Sequence, residues 1–371
     1  MDACDVLIVG GGPAGSSCAW RLRQAGLDVV VVDRAAFPRD KVCAGWITPQ
    51  VVSDLALDVD EYRIGRTFQD ITAFRVGLIG RHRAADTRYA GAVSYGIRRC
   101  EFDHYLLKRS RARLRLGEAA VRIRRDAATG RMVVNDSVHA PVLVGAGGHF
   151  CPVARWLEPR AERTPLVVAQ EAEFTVDERS GWRTAAPAPE LYFAADLKGY
   201  GWIFRKGGYI NLGIGRTDRQ SLPKATREFV SFLRAEQRIP DAVPLAWRGH
   251  AYLLSTSSRR AVDDGVVLVG DAAGLAYPSS GEGIRPAIES GLLAASAILG
   301  AGGDFARARL ETYGAQLRSR FGVTASARET TPWRSAVAAT LAPWLFTVPW
   351  FVRHQVLNRW FLRASDPALS S

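Results

Sequence analysis

The run Val6-Leu7-Ile8-Val9 followed by Gly10-Gly11-Gly12-Pro13-Ala14-Gly15 constrains this chain more than any other feature. Four consecutive apolar residues ending in a glycine turn read as a short buried strand. The glycines at positions 10, 12 and 15 have the GxGxxG spacing, and each has a physical task. Gly10 permits the tight turn, Gly12 lets the backbone approach a pyrophosphate, and Gly15 lets helix and strand pack closely. A helix is expected from about Pro13 to Ala25, with Ala14, Cys18, Leu22 and Ala25 on its apolar face and Gly26 as its stop. Its N-terminus offers unpaired N–H donors to an anionic ligand. Val29 to Val32 form a second fully apolar run, the signature of a parallel sheet covered on both faces. Asp33 ends that run, near the spacing of about 20 residues expected of a carboxylate that binds a ribose hydroxyl. Strand, turn, helix and acid together specify a dinucleotide-binding unit.

The rest of the chain extends this unit and interrupts it. With 371 residues it is long enough for two or three domains. Phe37 to Pro49 reads as a loop and Glu101 to Arg111 as a helix. Ala140 to Gly145 reads as a buried strand running into a Gly-rich turn. From Leu166 to Gly215 polar and apolar residues alternate, which predicts antiparallel strands with one wet face. Val266 to Val269 returns to a buried strand, and Ile284 to Leu299 to a helix. The expected fold is therefore α/β: a discontinuous Rossmann-like domain (1–65, 95–160 and 255–330), an inserted antiparallel sheet domain (66–94 and 161–254), and a C-terminal helical, Trp-rich segment (331–371).

The net charge of +12 leaves two readings open, a solvated basic surface or attraction to anionic lipid or an acidic partner. Nucleic acid is disfavoured, because no basic helix, zinc spacing or aromatic RNA-binding strand is present. The five cysteines are scattered without a CxxC pair, so neither a metal site nor a disulfide framework is expected, which fits a reducing compartment. Asp2 and Asp5 flank a start without a basic region, and the apolar run that follows is too short for a secretory leader. The expectation is a cytoplasmic protein, with peripheral contact to the inner face of the membrane held open.

Two C-terminal segments narrow the ligand. A buried strand delivers Gly270-Asp271 to its carboxyl end, where ligands of open α/β sheets bind, and a carboxylate there can accept hydrogen bonds from a polyol chain. Gly281-Glu282-Gly283-Ile284 then opens a helix, whose N-terminus would favour negative charge on a reduced ring. Over residues 1–300 these pieces resemble the superfamily of FAD-dependent monooxygenases and geranylgeranyl reductases, whose fold is similar to that of para-hydroxybenzoate hydroxylase. The resemblance implies FAD, with Asp271 at the ribityl chain and Gly281 and Gly283 beside the isoalloxazine. Arg99-Cys100-Glu101-Phe102-Asp103 resembles the Arg-x-x-Phe-Asp segment, whose arginine lies near the flavin and its phosphates. The expected FAD contacts are Gly10, Gly12, Pro13, Ala14, Gly15, Asp33, Arg34, Lys41, Ala44, Arg99, Val121, Gly270, Asp271, Gly281, Gly283 and Ile284, with no metal.

Two more segments point to the substrate side. Pro38-Arg39-Asp40-Lys41-Val42-Cys43-Ala44-Gly45 resembles the Pro-x-x-Lys-x-Cys-Gly-Gly loop of geranylgeranyl reductases, with Ala44 in place of the first glycine. In that family the cysteine lies near the substrate cavity and the flavin. Here Cys43 is either a proton donor or gate, or a small buried hydrophobe. Tyr200-Gly201-Trp202-Ile203-Phe204-Arg205, followed by Gly213 and Gly215, resembles the Tyr-x-Trp-x-Phe-Pro and Gly-x-Gly signature, with Arg205 for proline. Alternation puts Tyr200, Trp202 and Phe204 on one strand face, suited to a flat or isoprenoid ligand or to an ordinary sheet core. Aromatic hydroxylases carry an Asp-Gly motif where this chain has Gly147-Gly148, and the halogenase Trp-x-Trp-x-Ile-Pro motif has no good match.

The expected activity is reduction of carbon–carbon double bonds in an isoprenoid or similar apolar substrate, with Cys43, Tyr200 and Trp202 as the catalytic candidates. The alternatives are an FAD-dependent monooxygenase or oxidase of an aromatic or carrier-bound metabolite, and a non-enzymatic flavoprotein. The electron donor is NAD(P)H or a ferredoxin, since no second GxGxxG stands in a strand–helix context. From Ser335 to Val352 no residue is charged, but Pro343 and Pro349 interrupt the run. A lid or core-packing helical pair, a membrane-interface surface and a span all remain open.

Overall fold

In the computed structural model, which describes residues 1–159, 166–176, 188–241, 245–253, 259–322 and 343–369, the Val6–Val9 strand lies inside a six-stranded sheet. Across that sheet the order is Val262–Asp263, Val266–Leu268, Val142–Gly145, Val6–Val9, Val29–Asp33 and Arg113–Leu116. All pairings are parallel except the short hairpin at the Val262 edge. The apolar runs occupy the inner strands because both faces there are covered, while the Arg113–Leu116 edge strand carries arginines and stays largely exposed. A four-stranded sheet (Asp2–Ala3, Val138–Ala140, Met132–Val134, Ile123–Arg125) adjoins it in sequence. The Pro13–Gln24 and Ile284–Gly300 helices share one apolar core with the central strands. Residues 1–40, 100–165 and 252–327 form this first unit.

The second unit takes in residues 41–99, 166–251 and 328–371. Its seven-stranded sheet runs in the order Arg248–Leu253, Leu166–Thr175, Tyr209–Arg216, Gly199–Lys206, Glu190–Phe193, Ala73–Leu78 and Ala84–Arg88. The sheet is not wholly antiparallel, since Glu190–Phe193 runs parallel to Ala73–Leu78. One face packs on the amphipathic helix Leu222–Ala235, where Ile203, Ile210, Leu212 and Ile214 meet Phe229 and Leu233.

The opposite face is not the wet face expected from alternation. Trp202, Phe204, Lys206, Glu171 and Asn211 are all buried on it. The polar side chains that made the face read as wet are paired with one another in the interior. The described part of the C-terminal segment also packs here, through Phe361 against Trp46 and Tyr200 and through Phe346 against Phe193. That is the core-packing reading of this segment. Trp333 and Arg334 lie outside the described residues. Among the described residues no helix is long and apolar enough to cross a membrane.

Candidate functional site

In the first unit the Gly-rich turn is built for close backbone approach. A Cβ on Gly15 would stand 1.9 Å from the Gly10 carbonyl oxygen, so no larger residue fits between strand and helix. Asp33 is held beside the turn: Oδ2 accepts from the Gly11 N–H at 2.7 Å and Oδ1 from the Ala35 N–H at 2.8 Å. Each oxygen keeps a further lone pair for a ribose hydroxyl.

The Pro13–Gln24 helix has Gly12 at its N-cap, no side-chain cap and no acidic residue in its first turn. Beside it stands Arg39, whose guanidinium would be 3.4 Å from a Cβ on Gly12 and is tied to the buried Asp103 at 3.3 Å. A helix N-terminus flanked by a fixed guanidinium is a cradle for a pyrophosphate. Pro13 and Ala14 are buried in the first turn. On the carboxyl side of the sheet, Gly270 lies against Ala14 and donates its N–H to Ser290 Oγ at 2.9 Å. A Cβ on Gly283 would be 3.2 Å from Asp271 Oδ1, which places that carboxylate at the N-terminus of the Ile284–Gly300 helix. Gly281 donates its N–H to the Tyr277 carbonyl within the same turn.

Two expected contacts are solvent-exposed. Val121 is 76% exposed and its N–H is taken by Asn135 Oδ1. Arg34 is exposed. Lys41, Ala44 and Arg99 belong to the second unit, where Lys41 hydrogen-bonds His250 and Arg99 is buried at the start of the Arg99–Arg109 helix.

The second unit links two of the three catalytic candidates, Trp202 and Cys43, through one buried side chain. Asn211 is fully buried. Its Oδ1 accepts the Trp202 indole N–H at 2.7 Å, and its Nδ2 donates to the Cys43 carbonyl at 3.3 Å. Cys43 is half-buried, and its Sγ accepts the Gly45 N–H at 3.4 Å. The Tyr200 ring centroid is 6.0 Å from that of Trp202. The Gly-x-Gly segment explains the fit, because Gly213 pairs with Trp202 and a Cβ there would be 2.2 Å from the indole. Phe204, on the same strand face, is wholly buried and close under Gly96, a packing role.

The same face holds a buried cation. Lys206 Nζ is 2.7 Å from Glu173 Oε2 and also donates to the carbonyls of Ala44 (2.9 Å) and Ile97 (3.1 Å). Burial works to raise the Glu173 carboxyl, but Lys206, then Arg98 and Asn211, outweigh it and hold it below the usual range. Burial pushes Glu171 the other way, above the usual carboxylate range, against the opposing pull of the Cys43 N–H, Lys206 and Asn211.

The FAD dependent oxidoreductase family matches residues 5–88. A menaquinone reductase of Mycobacterium tuberculosis is 31% identical, with 80% of this chain and 77% of that protein covered. A geranylgeranyl diphosphate reductase of Rhodobacter capsulatus is 30% identical, over 80% and 75%. The chain belongs to the geranylgeranyl reductase family of FAD-dependent oxidoreductases. The fold agrees: a geranylgeranyl bacteriochlorophyll reductase-like protein of Thermoplasma acidophilum superposes with a TM-score of 0.75 at 20% identity, covering 95% of this chain and 98% of that one. The cofactor of this reductase-family enzyme is FAD, and the first unit fits it, since a Cβ on Gly12 would meet only the Arg39 guanidinium while the helix end and Arg39 supply the charge.

At three positions the chain departs from the motifs of the reductases or of the aromatic hydroxylases. Ala44 replaces a glycine at a residue whose carbonyl accepts from Lys206 Nζ, and nothing in the structure explains the exchange. Arg205 replaces a proline on the helix-side face of its strand, away from Trp202. At Gly147 an aspartate would crowd Cys151 and Pro152, whose nearest atoms would be 3.0 and 3.2 Å from its Cβ. Arg39, Asn211, Lys206, Glu171 and Glu173 escaped notice as site residues. Lys206 did carry a signal, being the fourth residue in line with Tyr200, Trp202 and Phe204.

Proposed function

We propose that this reductase adds two hydrogens across a carbon–carbon double bond of a polyprenyl or similar apolar lipid. The first unit is assigned to the cofactor and the sheet of the second to the substrate. In the first unit the cradle of Gly10, Gly12, Pro13, Ala14, Gly15 and Arg39 binds the pyrophosphate, Asp33 the ribose, and Asp271 with Gly270, Gly281, Gly283 and Ile284 the ribityl chain and ring. Bound and reduced, FAD supplies the hydride.

The observation that carries this reading is the Trp202–Asn211–Cys43 link. A buried amide fixes both an aromatic wall and a thiol-bearing loop, and the prenyl chain is assigned to the apolar surface beside Trp202 and Tyr200 that Phe361 borders. Phe361 and Phe346 keep water off that face. Cys43 delivers the proton to the carbon next to the one that takes the hydride. The names of the two relatives, which act on menaquinone and geranylgeranyl diphosphate, support an isoprenoid chain.

Electrons come from NAD(P)H or a ferredoxin, and the charge of +12 supports an acidic protein donor. Trp344 (67% exposed) and Trp350 (61%) stand in a stretch with no acidic residue between Glu329 and Asp366, which supports docking at the cytoplasmic face of a membrane. The test is anaerobic: the reduced holoprotein is mixed with a polyprenyl substrate and return of oxidised flavin absorbance is followed. Reoxidation in step with saturated product supports the proposal. Reoxidation by oxygen alone, with a transient oxygen-adduct absorbance and an aromatic product, contradicts it.

A further inference from the structure

The sheet of the second unit buries two carboxyls without a task in the proposed reduction; Glu190 is paired with Arg238, and Glu171 is not so matched. Glu171 is 6% exposed and lies opposite Gly213, the residue beneath the Trp202 indole. Its neighbour on the strand, Glu173, is matched by Lys206 at 2.7 Å and Arg98 at 3.1 Å. Among the described residues no cation closes an ion pair on Glu171. Its hydrogen bond comes from an amide, Asn211 Nδ2 at 3.3 Å, and the nearby Cys43 N–H pulls its titration down.

The hydrogen-bond count on Asn211 bears on this. With Oδ1 committed to Trp202, its two N–H groups face three acceptors at 3.3 Å, the Cys43 carbonyl, Glu171 and Glu173. Two carboxylates competing for one amide in a dry interior is costly, and a proton on Glu171 removes the competition. Burial favours that same state. The surrounding charges are Glu173 on its own strand, Lys206 on the Gly199–Lys206 strand, Arg98 on Glu173, and, on the Cys43 loop and the Arg248–Leu253 strand, the hydrogen-bonded pair Lys41 and His250. Of these Lys206 pulls toward the carboxylate, and burial outweighs it.

We propose that Glu171 is held as a neutral carboxylic acid beside the Cys43 loop and restores the proton that the Cys43 thiol gives up in each turnover. This rests on the proposed reduction, with Cys43 as proton donor. As the alkene π bond opens, one new C–H bond forms with hydride from the reduced cofactor and the other with the Cys43 proton, whose S–H bond breaks. Two electrons pass to the alkene. The thiolate left behind takes the carboxyl proton of Glu171, and the carboxylate regains one from water.

The test uses the FAD-loaded full chain and Glu171→Gln, which keeps the shape and the hydrogen-bonding ends but carries no acidic proton. Flavin content should stay at the wild-type level. Steady-state kcat with a polyprenyl substrate should fall at least about tenfold with KM within about twofold. The alkaline fall of the wild-type pH–rate profile should move, and Glu171→Asp should recover part of the rate. Infrared difference spectra of the wild type near neutral pH should show a protonated-carboxyl band that the glutamine variant lacks. Unchanged kcat and profile in Glu171→Gln, or no such band, overturns the proposal. A wild type that reduces no polyprenyl substrate defeats the proposed reaction instead, and the infrared band then decides alone whether Glu171 stores a proton.

Discussion

At the residue scale the second unit is organised by buried charge. Lys206 is fully buried with three partners, so removing it leaves Glu173 to Arg98 and Asn211 and takes a donor from two carbonyls. Breaking one side of such a pair costs about 3–5 kcal/mol, and since Glu173 keeps some solvent the lower end applies. Lys206→Met should therefore lower the unfolding free energy by about 3 kcal/mol in urea titrations; a loss under about 1 kcal/mol would mean the pair contributes little. The two glutamates titrate in opposite senses. Glu173, held low, contributes stability above the unfolded carboxyl pKa that is lost as pH falls through its folded value. Glu171, pushed up, contributes stability below the unfolded pKa that is lost as pH rises toward its folded value. Glu171→Gln should flatten the alkaline side of a Tm–pH curve and leave the acid side in place. Thiol reactivity divides the same way. Burial pushes the Cys4 and Cys18 thiols up to about 12 and raises Cys151, whereas Cys43 and Cys100 are half-buried. Iodoacetamide should label Cys43 and Cys100 well before the other three in peptide mass spectra.

At the element scale, the N-terminal strand–turn–helix unit was legible because its period, its glycines and Asp33 all follow from local sequence. The four-residue apolar run became a central parallel strand, and Gly15 sits where only glycine fits. Gly15→Val should yield protein with little bound FAD, and Asp33→Ala should weaken FAD retention; full flavination of the Asp33 variant would remove it from the ribose site. The wet face predicted for the later strands was wrong for a physical reason. Alternation tells which residues share a face but not what covers it, and here Glu171, Glu173, Lys206 and Asn211 meet through strand register. Register follows from pairing across dozens of residues, so Asn211 as the hub was not visible beforehand. The cover was equally hidden: Phe361 comes from far along the chain to sit on Trp46 and Tyr200. Phe361→Ala should cost about 3–5 kcal/mol by cavity formation, read from the urea midpoint.

At the scale of the whole molecule, two discontinuous units are woven from one chain, each with strands from separate parts of the sequence. The family and its cofactor follow from sequence relation and fold together, while the substrate assignment rests on the chemistry of one aromatic face. The central claim, reduction of an apolar alkene, is tested most directly by mass spectrometry. The holoprotein, reduced with dithionite without oxygen, is incubated with polyprenyl quinone, polyprenyl diphosphate and aromatic substrates, and the products are weighed. The account predicts a prenyl product heavier by two hydrogens, both of them deuterium when the reaction is run in deuterium oxide, because dithionite supplies electrons alone and the hydrogen carried by reduced flavin comes from solvent. An unchanged prenyl chain, or an aromatic product that appears only once oxygen is admitted and carries an added oxygen atom, would contradict it.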